Sequence, residues 1–286
     1  MREREHMKHF LIVANKEKDI DLELSGKLQS YIEDKEGRAL IVSDRAGHYE
    51  NGRIKPQLLV DVDGVIVLGG DGTMLRTAHE IGESDVPLMG VNLGTLGFLT
   101  EVEESHAYKA IDRLFAEDYA IERRMMLEGT VGNETFSCLN DVVITRAGFS
   151  RIIGLNIYVN GQLLDTYEAD GVIVATPTGS TGYNLSAGGP ILSPKSSAMV
   201  VTPISPHSLT SKSVVFDRMD CIEIEVIKKR RTQETEAIVS FDGDNNIELS
   251  AGDCIRVSAS NRSIQLVKMY DVSFYSVLRD KIGGNQ

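Results

Sequence analysis

The sequence contains few of the residues that build disulfide frameworks or structural zinc sites. Its 286 residues include no tryptophan and only three cysteines, Cys138, Cys221 and Cys254, which are widely separated and form no C-x-x-C pair. Because the cysteines are odd in number and far apart, the sequence argues against a disulfide framework and against a zinc site. We expect three ordinary buried thiols in a reducing compartment, since free cysteine is among the most buried residue types.

Long apolar runs and a surplus of positive charge are also missing. The apolar run Phe10–Ala14 is too short for the core of a signal peptide, and no stretch approaches membrane-spanning length. Thirty lysines and arginines stand against 42 aspartates and glutamates, for a net charge of -12. This charge argues against nucleic-acid and anionic-membrane partners. We therefore expect a cytoplasmic protein that binds phosphates through backbone N–H groups, a few arginines or a divalent metal.

The common phosphate-binding motifs are absent as well. The dinucleotide fingerprint G-x-G-x-x-G fails because Leu75 stands where its third glycine would be, and the P-loop pattern G-x-x-x-x-G-K-[ST] does not occur. The protein-kinase set built on H-R-D is also missing. Any phosphate chemistry in this protein therefore uses a different loop.

What the sequence does contain is two regions of different periodicity, and its length suits two domains. From 1 to 117, strand-like and helix-period segments alternate, which predicts an α/β domain with a parallel, helix-covered sheet. From 118 to 264, short strand-like runs separated by turn residues predict an all-β domain. A last helix over Ser273–Ile282 could return to the first domain, so that 265–286 packs back on it. The expected elements of the first domain are the strands His9–Ala14, Arg38–Ser43, Asp63–Leu68 and Pro87–Val91, and the helices Lys18–Asp34, Thr73–Ile81 and Ser105–Ala116.

A glycine loop, Gly69 to Thr73 with the letters GGDGT, lies where a predicted strand ends and a helix begins. Glycines let the backbone approach a ligand closely, and a helix N-terminus offers unpaired N–H groups to an anion. A carboxylate at a phosphate site suggests that Asp71 takes a proton from an attacking hydroxyl or holds a metal. The plainer alternative is a tight turn in which Asp71 caps the helix.

Two segments of the second region also suggest a ligand site. The run from Pro177 to Pro190 mixes glycines, hydroxyls and one aromatic residue, Tyr183, and such a loop can wrap a nucleotide. Asn140 and Asp141 stand directly before a predicted strand. The alternatives are a long structural loop for the first segment and an ordinary turn for the second.

Taken together, these motifs resemble the NAD kinase family. The matching segments are Gly69–Thr73, Asn92–Leu99, Asn140–Asp141 and Asp170–Pro190, in the family's order. Gly-Gly-Asp-Gly is shared with diacylglycerol, sphingosine and 6-phosphofructo-kinases, whereas Thr176–Pro190 is far more specific to NAD kinases. The resemblance implies phosphoryl transfer from ATP or polyphosphate to the 2′-hydroxyl of the adenosine ribose of NAD, giving NADP. It also implies Mg²⁺ or another divalent cation with the donor, no metal held by the protein's own site residues, and a homodimer or homotetramer.

The resemblance further implies roles for individual residues. Asp71 resembles the base for the ribose hydroxyl, and Asp170 resembles the acidic contact to the nicotinamide side of the ligand. Asn140 and Asp141, where many relatives have Asn-Glu, resemble the pair that holds adenine and ribose hydroxyls. Asp244 falls near a late polar contact of the family. The implied donor loop is Gly69, Gly70, Gly72 and Thr73, and the other implied substrate contacts are Gly72, Arg76, Arg151, Glu168, Thr181, Gly182 (often Ala in relatives), Tyr183, Asn184, Leu185 and Ser186.

Two other functions stay open at this point. A lipid kinase would share the GGDGT loop, but it needs an apolar cleft or a basic membrane-facing patch, which the acidic composition disfavours. A non-catalytic NAD(P)-binding regulator has no need for Asp71 as a base. We interpret His207 as structural because no partner motif orients it, and the basic run Lys228–Arg231 as a solvated hairpin tip.

Overall fold

The structure is a computed structural model, which describes residues 7–95, 97–148, 152–208, 210–227, 237–270 and 273–282. The chain forms two compact units, one made of Met1–Arg123 with Ile264–Gln286 and the other of Arg124–Ser263. Within the described ranges, no helix combines the length and the apolar character needed to cross a membrane.

Parallel strands flanked by helices form the first unit. The strands lie in the order β2-β1-β5-β6 with β7 beside β6, and β3 and β4 form a small hairpin. The predicted α/β domain with a parallel, helix-covered sheet is therefore confirmed. Its strands are β1 (His9–Ala14), β2 (Arg38–Ile41), β3 (Tyr49–Glu50), β4 (Arg53–Ile54), β5 (Gly64–Gly69), β6 (Leu88–Asn92) and β7 (Val102–Glu103), and its helices so far are α1 (Glu23–Asp34), α2 (Asp71–Glu80) and α3 (Ala107–Phe115).

The core of the first unit forms where the helices turn one apolar face to the sheet. Leu28 and Ile32 lie one turn apart on α1, and Ile111 and Leu114 do so on α3. All four are buried in one cluster that includes Ile66 of β5. Burying one such side chain stabilises the fold by about 1.5–3 kcal/mol, so this packing holds the ends of β1 and β5 in place.

Helix α1 starts later than the sequence predicts. The expected start was Lys18, but the helix begins at Glu23, after Asp21 and Leu22 adopt positive φ angles of 53° and 57°. The cause is the buried carboxylate of Asp19, which accepts backbone N–H groups of the first turn, including that of Leu24 at 2.9 Å. The residues between Lys18 and Leu22 therefore lie in the connection between β1 and α1.

Antiparallel strands form the second unit. One sheet has the order β15-β14-β13-β10-β17-β18, and the strands β12, β11, β16 and β19 pair side by side. Alternate residues of both sets, such as Ile144 on β10 and Ile224 on β16, enter one apolar core. The predicted all-β domain is confirmed. Its strands are β8 (Ala120–Val131), β9 (Glu134–Cys138), β10 (Asp141–Arg146), β11 (Ile153–Val159), β12 (Gln162–Ala169), β13 (Gly171–Ala175), β14 (Ala198–Ile204), β15 (Val214–Asp217), β16 (Cys221–Ile227), β17 (Ala237–Phe241), β18 (Asp244–Leu249) and β19 (Cys254–Lys268), and one short helix, α4, spans Tyr183–Ser186.

The C-terminal segment returns to the first unit, as predicted. The end of β19 runs parallel to β6, with Leu266 opposite Leu88. Beside this pairing, Glu101 and Lys268 form an ion pair whose carboxylate is almost completely buried. Helix α5, which spans Phe274–Ile282, ends the described chain.

The three cysteines are free, but they are not all buried. Cys138 is buried, Cys221 is half-buried and Cys254 is exposed. The prediction of three buried thiols is therefore wrong for two of them. The reason is strand alternation, since Cys221 and Cys254 share the outward face of β16 and β19 with Glu225 while Ile222 and its neighbours fill the core.

Candidate active site

Asp71 opens helix α2 at the carboxyl end of a buried strand. Every residue of β5 is buried, and the strand ends at Gly69. Gly70 is the N-cap residue, and the helix begins at Asp71, two residues before the predicted start at Thr73. The alternative in which Asp71 caps this helix is therefore wrong, because Gly70 holds the capping position and the Asp71 carboxylate is bonded elsewhere.

The Asp71 carboxylate is bound by the loop that follows β6. It accepts the backbone N–H of Phe98 at 2.8 Å and that of Leu99 at 3.0 Å, and the hydroxyl of Thr100 lies 3.4 Å from the same side chain. A methyl group on Gly97 would lie 1.8 Å from a carboxylate oxygen, so glycine is required where the loop passes this closely. The Asp71 side chain is fixed in direction and stays half-buried.

A polar cavity of about 210 Å³ lies at Gly70 and Gly72, the two neighbours of Asp71 in the chain. It lies between the carboxyl ends of β1 and β5, where the strand order of the sheet changes direction. Such a crevice is the usual ligand site of an open α/β sheet. Its other lining residues are Asn15, Lys18, Thr73 and Arg76.

Two cations border this cavity. A methyl group on Gly94 would lie 3.2 Å from the Lys18 ammonium, and one on Gly70 would lie 3.9 Å from it. Lys18 forms no ion pair with any residue in the described part of the chain. Arg76, one turn into α2, pairs with Glu80 at 3.2 Å and keeps about half of its side chain exposed. With the N-terminus of α2, these charges make the cavity suited to anions.

Sequence reasoning misses Lys18 and Asn15. The carbonyl of Asn15 accepts the N–H groups of Lys18 at 3.0 Å and Asp19 at 2.9 Å, and its own N–H donates to Leu68 at 2.8 Å. Its side-chain amide donates to the hydroxyl of Thr73 at 3.4 Å. These bonds join the turn after β1 to the glycine loop. The sequence signal that could have identified these two residues is a run of polar residues directly after a buried strand, at the end of a parallel sheet where ligands bind.

In the second unit, Asn140 and Asp141 stand at the start of β10. Asp141 is 6% exposed, and no donor among the described residues contacts its carboxylate. Burial and then the nearby carboxylate of Asp242 raise the pKa of Asp141 to about 7. The half-buried side-chain amide of Asn140 has no hydrogen-bond partner within the same ranges. The hydrogen-bonding groups of both side chains are therefore unused within the described protein.

The loop that begins at Thr176 packs closely on Asn140. The N–H of Thr176 donates to the Asn140 carbonyl at 2.8 Å, and a methyl group on Gly179 would lie 2.1 Å from that oxygen. A 3-10 turn over Gly179–Thr181 and helix α4 follow. The structure thus brings together two segments that the sequence analysis singled out separately.

The residues of this loop fall into two groups. Asn184 is fully buried, its amide donates to the carbonyls of Ser180 and Pro190 at 3.0 Å each, and its oxygen accepts the hydroxyl of Thr202 at 2.6 Å. Its side chain therefore holds the loop together. Tyr183 is 45% exposed, and its neighbours Gly182 and Ser186 are exposed while Thr181 and Leu185 are half-buried.

The remaining predicted contacts lie apart from this loop in the chain. Asp170 forms an ion pair with Arg146 at 2.9 Å, a partner that sequence reasoning misses. Glu168 and Asp244 are exposed on β12 and β18. His207 is exposed, and its N–H donates to the carbonyl of Glu168 at 2.8 Å. Two of the interpreted features, Arg151 and the run Lys228–Arg231, lie outside the described residues.

The arrangement in the first unit can support transfer of a phosphoryl group to a hydroxyl. A fixed carboxylate can take the hydroxyl proton, and a cationic cavity beside a helix N-terminus can hold the phosphates of a donor. Together with the two kinds of unit, these features fit the class of phosphotransferases that act on an alcohol.

Comparison with known proteins identifies the family. Residues 9–119 match the model of the ATP-NAD kinase N-terminal domain, and residues 139–269 match that of the C-terminal domain. The NAD kinase of Lachnoclostridium phytofermentans is 45% identical over 287 aligned positions, and that of Agathobacter rectalis is 46% identical over 280; each alignment covers 97% of this chain and 99% of the relative. The chain therefore belongs to the NAD kinase family, and the predicted kinase activity is confirmed.

Solved structures share the fold over nearly the whole chain. Yeast NADH kinase complexed with NADH aligns with a TM-score of 0.85 at 24% identity, covering 99% of this chain and 89% of that one. An NAD kinase from Archaeoglobus fulgidus in complex with ATP aligns with a TM-score of 0.77 at 22% identity, covering 97% and 100%. The two-part fold is thus that of NAD kinases.

Proposed function

We propose that this protein transfers the terminal phosphoryl group of ATP to the 2′-hydroxyl of the adenosine ribose of NAD, with Asp71 as the base. The observation that carries the proposal is the Asp71 carboxylate, which two backbone N–H groups hold in a fixed direction, while its chain neighbours Gly70 and Gly72 line the cationic cavity. The choice of substrates is supported by family membership and by the NADH and ATP complexes of the structural relatives.

Asp71 keeps accepting capacity for a substrate hydroxyl. A carboxylate offers about four lone-pair positions, and the N–H groups of Phe98 and Leu99 with the hydroxyl of Thr100 occupy three of them. The ribose oxygen forms a bond to the γ-phosphorus while the bond from that phosphorus to the β,γ-bridging oxygen breaks and ADP leaves. The hydroxyl proton passes to Asp71.

The donor phosphates are proposed to bind the loop of Gly69, Gly70, Gly72 and Thr73 at the start of α2, in the cavity that the last three of these residues line. Lys18 and Arg76 supply positive charge there, which an acidic protein needs locally. No group of three or more His, Cys, Asp or Glu side chains in the described ranges is arranged to hold a metal ion. Mg²⁺ is proposed to enter with the donor, bound to its phosphates as part of the MgATP substrate.

The all-β domain, 118–264, is proposed to bind NAD. Asn140 and Asp141 hold the adenine and the ribose hydroxyls, and Asp170, oriented by Arg146, contacts the nicotinamide side. The support is the unpartnered, buried or half-buried state of the first two side chains in the described structure. Further NAD contacts are proposed for Gly72, Arg76, Arg151, Glu168, Thr181, Gly182, Tyr183, Asn184, Leu185 and Ser186. We also propose a cytoplasmic homodimer or homotetramer assembled through this domain.

A coupled assay tests the function. Purified protein is mixed with NAD, Mg²⁺ and either ATP or polyphosphate, and NADP is read with an NADP-specific dehydrogenase. We expect NADP with ATP. NADP with polyphosphate alone would keep the reaction and change the donor, whereas measurable NAD binding without NADP from either donor would overturn the proposal.

A further inference from the structure

Asp242 binds the backbone of the segment that carries Asn140 and Asp141. One carboxylate oxygen accepts the N–H of Leu139 at 2.7 Å, and the other accepts those of Asn140 at 2.7 Å and Asp141 at 3.1 Å. In return, the N–H of Asp242 donates to the carbonyl of Asp141 at 3.0 Å. Each of these bonds joins residues about a hundred positions apart, so none arises from local chain geometry.

The turn that holds Asp242 does not itself require a carboxylate. Asp242 and Gly243 form the two-residue connection between β17 and β18, with φ angles of 52° and 83°. Asn-Gly suits such a hairpin as well as Asp-Gly does. The demand for an acid comes from the three N–H groups, since a carboxylate offers two accepting oxygens and an amide offers only one.

Thr176 holds the same segment from its other side. The hydroxyl of Thr176 donates to the carbonyl of Leu139 at 2.6 Å, and its N–H donates to that of Asn140 at 2.8 Å. The backbone from Leu139 to Asp141 is therefore tied by its N–H groups to Asp242 and by two carbonyls to Thr176. The side chains of Asn140 and Asp141, in contrast, have no hydrogen-bond partner in the described structure.

We propose that Asp242 is a positioning residue for NAD binding, which fixes the backbone from which Asn140 and Asp141 reach the nucleotide. The inference rests on the proposed function, in which these two side chains bind NAD. A positioning residue of this kind acts through the placement of others and makes no contact with the substrate itself.

The charge of Asp242 also raises the pKa of Asp141, which an uncharged structural residue would not do. Among the described residues, two titratable groups near Asp141 are the Asp242 carboxylate and the fully buried Cys138 thiol, whose pKa is raised by burial and then by both carboxylates. Removing the charge of Asp242 leaves burial as the cause that raises the pKa of Asp141. NAD affinity should then change with pH at a lower pH than in the unmodified protein.

The test compares Asp242→Asn with Asp242→Glu and with Asp253→Asn. Asp253 is the matched control, because its carboxylate also accepts a backbone N–H, that of Ser250 at 2.7 Å, in a turn of the same unit. Steady-state kinetics and calorimetric NAD binding are measured from pH 5.5 to 8.5 on the full chain, after thermal unfolding confirms that each variant is folded.

We expect Asp242→Asn to raise the Kd and KM for NAD by about tenfold or more with the KM for ATP unchanged, since bonds to charged acceptors are lost. The pH at which NAD affinity changes should fall, because the second of the two causes that raise the pKa of Asp141 is removed. Asp242→Glu should keep that pH, and Asp253→Asn should match the unmodified protein. If the unmodified protein binds NAD but forms no NADP, the kinase proposal is wrong and the positioning role of Asp242 is unaffected. A folded Asp242→Asn variant with unchanged NAD affinity and pH profile would overturn the positioning role.

Discussion

The carboxylates of Asp71 in the first unit and Asp141 in the second are surrounded by opposite kinds of groups. Asp71 receives two backbone N–H groups and stays half-buried. Asp141 is buried, meets no donor among the described residues, and has the carboxylate of Asp242 nearby. Burial and a like charge favour the neutral form of Asp141.

This difference assigns different work to two residues of the same chemistry. A carboxylate that accepts a proton during turnover must point in a fixed direction and be reachable by the substrate. The N–H groups of Phe98 and Leu99 fix the direction of Asp71, and the side chain is only half-buried. A carboxylate that titrates near pH 7 can change how a binding site holds hydroxyls, which suits Asp141. A substitution near one of the two carboxylates should therefore leave the surroundings of the other intact.

The largest effect is expected from Asp71→Asn, which removes the base and keeps the size of the side chain. Turnover should fall by about 100-fold or more, because a positioned base contributes roughly 10²–10⁴. NAD affinity, measured by calorimetry, should change little. Asp85→Asn, an exposed acid in the same unit, serves as the control and should keep full activity. Turnover within a few-fold of the unmodified enzyme would remove Asp71 from its role.

Gly97→Ala tests whether the donor loop is what fixes Asp71. The added methyl group would lie 1.8 Å from the Asp71 carboxylate, so the loop or the acid must move. We expect turnover to fall by about 10- to 100-fold, as small misplacements of reacting groups do.

The control for Gly97→Ala is Gly26→Ala on α1, where no atom lies within 4 Å of the added methyl group. This change should leave turnover intact and raise the free energy of unfolding by about 0.5–1 kcal/mol, because glycine weakens a helix interior. Full activity in folded Gly97→Ala would show that the contact with this loop is dispensable.

Lys18→Met tests the cationic side of the Asp71 region. Removing the ammonium from the cavity should raise the KM for ATP by about tenfold, the scale of one charge-assisted bond, and leave the KM for NAD unchanged. Lys109→Met, at an exposed position of α3, makes the same chemical change away from the cavity and should affect neither constant. A rise in the KM for NAD alone would place Lys18 at the other substrate.

The two regions also differ in how much of them could be predicted from the sequence. Strand and helix periodicity and the GGDGT loop identify the fold and Asp71, because those signals are local. The N–H groups that hold Asp71 come from 27 and 28 residues away, and Asp242 meets Asn140 across 102 residues. No local pattern encodes such contacts, so the partners that set each carboxylate's behaviour appear only in the folded chain.

The effect expected from Asp141→Asn concerns stability. In the unfolded chain Asp141 loses its proton near its ordinary pKa of 3.8, whereas in the folded protein it keeps it to about 7. Between these values the folded state binds more protons, so the free energy of unfolding falls as pH rises, by roughly 1 kcal/mol per pH unit for this one group. Asp141→Asn should lose this slope between pH 5 and 7, as measured by thermal unfolding, while Asp253→Asn keeps it. Parallel curves for the Asp141 variant and the unmodified protein would mean that Asp141 is already ionised in the fold.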